Sequence, residues 1–61
     1  MPIVQVQLLR GRTIEQKEAA ARDIVEALAK HIGARPQATR VIFTDVDPAE
    51  WFKGEELLPP K

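Results

Sequence analysis

The sequence has no cysteine and no tyrosine, and its 61 residues hold one tryptophan, two phenylalanines and one histidine. Without thiols there is no disulfide framework, no thiolate zinc site and no thiol catalysis, the usual supports or uses of so small a scaffold. Neither sign of charge prevails, since nine Lys and Arg balance nine Asp and Glu. No overall field therefore draws the chain to nucleic acid or to anionic lipid, and any charge-based function is local. No apolar stretch approaches the roughly 20 residues of a membrane span, and no basic-then-apolar leader opens the chain. These absences point to a cytoplasmic protein with neither a nucleic-acid nor a membrane partner.

The composition, 44% hydrophobic and 30% charged, is that of a globular domain rather than a disordered one. The length allows one domain, residues 1–61. Below ~70 to 80 residues a lone core rarely supplies more than about 3 to 5 kcal/mol. With no covalent staple, oligomerisation is expected from size alone.

Ile3-Val4-Gln5-Val6-Gln7-Leu8-Leu9 is rich in β-formers and partly alternating, which predicts a strand with Val4, Val6 and Leu8 on one face. Thr13 followed three residues later by Gln16 fits a capping box, so a helix is expected from Ile14. Ile14, Ala21, Ile24, Val25, Leu28 and Ile32 recur near the helical period, while Glu15, Glu18, Arg22 and Glu26 form a solvated face. Glu18 with Arg22 and Glu26 with Lys30 have the spacing of weak i,i+4 pairs. Gly33 and then Pro36 end the helix near Ile32. Thr39 to Val46 reads as a second strand, closed by a turn at Asp47-Pro48. Strand, long helix and strand make an α/β (α+β) fold, a βαβ protomer with parallel strands and a right-handed crossover. Leu57-Leu58-Pro59-Pro60 predicts an extended end to a short C-terminal extension. Two strands and one helix leave both sheet edges and one sheet face open, so partner chains are needed to complete the sheet.

The residue with the most chemical content is Pro2, directly after Met1. Removal of an initiator methionine before so small a residue leaves a free secondary amine. Ordinary α-amino groups titrate near about 7.7 to 8.0, a prolyl amine is intrinsically more basic, and nearby cations or apolar burial bring such an amine toward the working pH. Read alone, a proline at position two is better explained as a residue that a terminus tolerates. Two arginines sharpen the reading, because each binds carboxylates bidentately and is permanently charged. Parallel strands start at the same end of a sheet, so Arg40 can approach Pro2 or a neighbour's copy of it. Arg12 lies up to roughly 33 Å away along extended backbone, so a site shared with Pro2 must be assembled between subunits. Each arginine also has a plain reading as an ion-pair partner on a surface or interface. Trp51 and Phe52 are placed to wall an apolar pocket over the amine or to serve as interface core; Phe52 and Phe43 fit packing first.

His31, near the helix C-terminus, has no second ligand at a useful spacing, so no metal is expected. Asp45 and Asp47 lack the pattern of a calcium loop and fit turn formation instead. No glycine-rich phosphate cradle, Ser-His-Asp set or zinc pattern occurs.

Pro2-Ile3-Val4-Gln5-Val6, Leu9-Arg10-Gly11-Arg12-Thr13, Glu15-Gln16-Lys17-Glu18 and Arg40-Val41-Ile42, all in one register, resemble the 4-oxalocrotonate tautomerase family over roughly residues 2 to 52. The resemblance implies dimers that join two βαβ units into a four-stranded sheet, and commonly a homohexamer made of three dimers. It implies an isomerase without a cofactor, acting on a small unsaturated keto or enol acid such as 2-hydroxymuconate. In that reading Pro2 is the general base, Arg12 and Arg40 from different subunits hold and polarise the substrate, and Trp51 is the aromatic pocket residue. Two departures stand out. Phe52-Lys53-Gly54-Glu55-Glu56 has one glycine where relatives carry a glycine-rich hairpin, and Arg10 stands where an acid is frequent. The altered tail motivates an alternative, a non-catalytic or weakly active subunit of a mixed oligomer. A proline-dependent hydratase or dehalogenase would need a water-activating group, and no spare acid or histidine is placed for one.

Overall fold

The computed structural model describes residues 1–54 and the backbone of residues 56–57. Strand β1 (Ile3–Leu9) leads to helix α1 (Ile14–Ile32), a 3-10 turn (Pro36–Ala38), strand β2 (Arg40–Val46), a second 3-10 turn (Pro48–Glu50) and a hairpin of β3 (Phe52–Lys53) and β4 (Glu56–Leu57). The strands β1 and β2 are parallel, with Ile3 opposite Arg40 and Leu9 opposite Val46. The expected βαβ order is present, and β2 starts one residue later than the sequence suggests because Thr39 closes the preceding turn.

The helix ends where its caps dictate. Thr13 Oγ1 accepts from the Gln16 N–H at 3.1 Å, and Gln16 Oε1 accepts from the Thr13 N–H at 2.9 Å, so both members of the capping box are made. At the other end Gly33 has φ 70°, a left-handed conformation that suits glycine, and its N–H reaches Ala29 O at 3.2 Å. That bond is the 5→1 contact of an αL cap, and the Ala34 N–H donates further back, to Leu28 O at 3.2 Å. Lys30 and His31 occupy the last turn, where cations complement the helix dipole.

Strand alternation sorts the sheet into two faces. Val4, Val6 and Leu8 with Val41 and Phe43 are half-buried on the side that α1 covers. From the helix, Lys17, Ala21, Ile24, Val25, Leu28 and Ala29 are half-buried, whereas Ile14 and Ile32, expected on that face, lie at the helix ends and remain exposed. The other sheet face carries Ile3, Gln5, Gln7, Ile42 and Thr44, with Ile3 61% and Ile42 45% exposed. Neither expected i,i+4 pair closes; the ion pairs among the described residues are Arg10 with Asp47 and Lys17 with Asp45.

The tail forms a hairpin although a single glycine replaces several. Phe52 pairs with Leu57 and Lys53 with Glu56, and Gly54 has φ 61°, the positive φ that tight hairpin turns favour. Leu57 is extended as expected, while the same expectation for Leu58, Pro59 and Pro60 lies outside the described residues.

No hydrophobic side chain among the described residues is fully buried. The surface area of 5099 Å² exceeds the ~4,000 Å² typical of a monomer of this mass. The radius of gyration, 14.4 Å, likewise exceeds the ~10.5 Å of a compact chain of this length. One helix on one side of a two-stranded parallel sheet cannot enclose a core, and parallel sheets are ordinarily covered on both faces. The open sheet face and edges thus call for association with further chains. Thermal unfolding followed by circular dichroism over a 100-fold dilution series should show a Tm that falls on dilution, because assembly stabilises by mass action. A concentration-independent Tm would contradict this.

Candidate active site

At the N-terminal end of the sheet the Arg40 N–H donates to Pro2 O at 3.0 Å, so the two residues are neighbours through the backbone as the parallel register requires. Met1 is almost fully exposed and Pro2 half-buried. While Met1 is attached, the Pro2 nitrogen is a tertiary amide and cannot act as a base. Strand alternation puts Pro2 and Thr39 on the face shared with Val4 and Val41, and Arg40 on the opposite face with Ile42. Arg40 is exposed, and its Nη1 donates to Gln37 O at 3.1 Å and Thr39 O at 3.5 Å.

Arg12 and Trp51 belong to the opposite end. The loop after β1 carries Arg12, which is exposed and has no side-chain hydrogen bond or ion pair among the described residues. Trp51 follows the turn that leaves β2 and is half-buried in an open groove of about 290 Å³ with Gln7, Val46, Glu50 and Phe52. Asp47 links these two segments. Its Oδ1 accepts from the Ala49 N–H at 3.0 Å, capping the turn, and its Oδ2 lies 3.4 Å from Arg10 Nη2. The Arg10 N–H also donates to Val46 O at 3.1 Å. Arg10 is thus engaged with the end of β2 rather than added to the free charge around Arg12. The pair is exposed on both sides, so its contribution to stability is only about 0 to 1 kcal/mol.

Two structural roles escape the sequence pattern. Lys17, 16% exposed, reaches from the first turns of α1 to Asp45 Oδ1 at 2.8 Å and Oδ2 at 2.9 Å. Asp45 therefore anchors helix to strand instead of forming a turn, whereas Asp47 does form one. The signal for Lys17 was its place four residues before Ala21, on the covered helix face. Thr39 is the second, buried beside Arg40.

Within one chain the structure makes Pro2 and Arg40 backbone neighbours on opposite faces of the sheet, and leaves Arg12 and Trp51 at the far end of β1 and β2. Seven strand residues separate the ends, a span of about 20 Å. Trp51 and Phe52 accordingly do not wall the amine of their own chain, because the turn carrying them leaves the C-terminal end of β2. Phe43 packs as expected, half-buried under α1, while Phe52 stays exposed. Among the described residues no group of three His, Asp or Glu side chains is arranged to hold a metal, and no helix is long and apolar enough to cross a membrane. Pro2 and Arg40 thus lie at one end of the sheet, and Arg12 and Trp51 at the other.

Comparison with known proteins adds the family context. The model of the Tautomerase family, described as tautomerase enzyme, matches residues 2–58. A Lactococcus lactis protein named a probable tautomerase is 43% identical over 61 residues, covering 100% of both chains. A 2-hydroxymuconate tautomerase of Pseudomonas putida is 39% identical over 57 residues, 93% of this chain and 90% of its own. A crystal structure of a 4-oxalocrotonate tautomerase homologue superposes with a TM-score of 0.85 at 32% identity, covering 93% of this chain and 90% of that one.

Proposed function

We propose that this chain, which belongs to the tautomerase family and is an isomerase, ketonises conjugated enol acids of the 2-hydroxymuconate kind with the Pro2 amine as general base. After removal of Met1 the Pro2 nitrogen takes the hydroxyl proton of the enol, the O–H electron pair becomes part of a carbonyl, and the conjugated double bonds shift. The same proton returns from the nitrogen to a carbon of the chain, so composition is unchanged and the amine is regenerated. No cofactor is required by this balance. Arg12 and Arg40 hold the carboxylates and offset developing enolate charge, an effect worth several kcal/mol where donors are fixed in a dry site. Trp51 supplies the apolar wall that keeps water out.

The single observation that carries this reading is the division of Pro2 with Arg40 and Arg12 with Trp51 between the two ends of a parallel sheet lacking a core of its own. A two-fold axis that joins two such sheets edge to edge reverses strand direction. It thereby brings the Pro2 end of one protomer toward the Arg12 and Trp51 end of the next. We take the assembly to be a homohexamer of three such dimers, working in the cytoplasm on a small-molecule acid. The non-catalytic alternative drew on the altered tail, and the closed β3–β4 hairpin removes that motive.

The test is a spectrophotometric ketonisation assay with 2-hydroxymuconate on protein whose N-terminus has been shown by mass spectrometry to be Pro2. Alkylation of the N-terminal amine should abolish turnover while sedimentation still reports the oligomer. Full activity after complete alkylation would remove the amine from the mechanism.

A further inference from the structure

Thr39, 8% exposed, is the one buried residue among the described residues, none of whose apolar side chains is buried. Its hydroxyl donates to Arg35 O at 2.9 Å and its N–H to Pro36 O at 3.2 Å, closing the 3-10 turn over Pro36–Ala38. That turn presents the Gln37 carbonyl, which accepts from Arg40 Nη1 at 3.1 Å. We propose that Thr39 is a positioning residue for Arg40: its hydroxyl fixes the turn whose carbonyl sets the direction of the guanidinium. The inference rests on the assignment of Arg40 to substrate binding made above.

The chemistry favours this division of labour. A guanidinium has five N–H donors in a rigid plane, and a carboxylate needs two adjacent ones. With Nη1 held by Gln37 O, and Thr39 O a further 3.5 Å contact, the edge formed by Nε and Nη2 stays available for a bidentate carboxylate. An arginine free to rotate would have to be ordered when substrate binds, at the expense of affinity. The hydroxyl matters for this and little for folding, because Arg35 O also accepts the Ala38 N–H at 3.0 Å and is not orphaned when the threonine donor is lost.

Four variants of the processed, assembled protein test the proposal: Thr39→Val, Thr39→Ser, Arg40→Gln and the double variant Arg40→Gln with Thr39→Val. Thr39→Val keeps the side-chain shape and deletes the donor. It should raise KM about 5- to 10-fold with kcat within about twofold, and Thr39→Ser should restore KM to within about twofold of the parent. In an Arg40→Gln background, Thr39→Val should add no further rise, since the group it orients is gone. An unchanged KM in Thr39→Val, a serine variant as impaired as the valine one, or a full additional factor in the Arg40→Gln background would each overturn the inference. If Arg40→Gln itself keeps parental KM and kcat, the functional reading falls and this inference falls with it. An impaired Arg40→Gln with an additive Thr39→Val overturns the positioning role alone.

Discussion

Pro2→Ala, processed to the new N-terminus, is expected to lose about 10²-fold or more in kcat with 2-hydroxymuconate while sedimenting as the parent does. The substitution leaves a primary amine, so the loss measures more than the presence of nitrogen. The pyrrolidine ring fixes the backbone and aims its lone pair, whereas an alanyl terminus rotates, and small displacements of a base cost large factors in rate. Assembly should survive because the Arg40 N–H donates to the backbone carbonyl at position 2, which alanine retains. Alanine is also small enough for the same removal of Met1, so both proteins are compared with free termini. Turnover equal to the parent would show that the pyrrolidine ring is not needed to aim the base.

The second large effect comes from mixing two inactive proteins. Pro2→Ala and Arg12→Gln, assayed separately, should each have little activity. Unfolded together at equal amounts and reassembled, they should recover activity in roughly a quarter of the sites. Such a site takes a native Pro2 from one chain and a native Arg12 from another, and random assortment sets that fraction. The reasoning depends on the about 20 Å of strand between the two ends of a protomer. If both residues served one site within a single chain, no combination of defective chains could regain function. No recovery in well-assembled mixtures would therefore place the site within one protomer and refute the shared arrangement.

Much of this organisation is legible in the residues. Thr13 and Gln16 mark the start of α1 and Gly33 its end, because caps are local and depend on side chains a few residues apart. The alternation through Val4, Val6 and Leu8 assigns the covered face, and the parallel register that puts Arg40 beside Pro2 follows from the βαβ order. What the pattern hides is set by distance in space. Lys17 falls outside the apolar helical period, yet it is half-buried on the covered face and its ammonium meets Asp45, 28 residues away. The i,i+4 partners offered by spacing do not meet, since exposed ion pairs gain too little to order two long side chains. Thr39 reads as the first residue of a strand and becomes instead the lock of a three-residue turn, a feature too short to leave a period. Ile14 and Ile32 fit the helical period but lie beyond the sheet that would cover them.

The described residues of one chain seal no apolar interior, and in the proposed assembly this links catalytic output to supply. A newly synthesised copy that meets no other is open to proteases, whose action follows the population of unfolded chain. Survival and turnover then begin together, once enough copies have accumulated to associate. Doubling expression from a low level should thus more than double the working enzyme, a built-in threshold that needs no dedicated regulator.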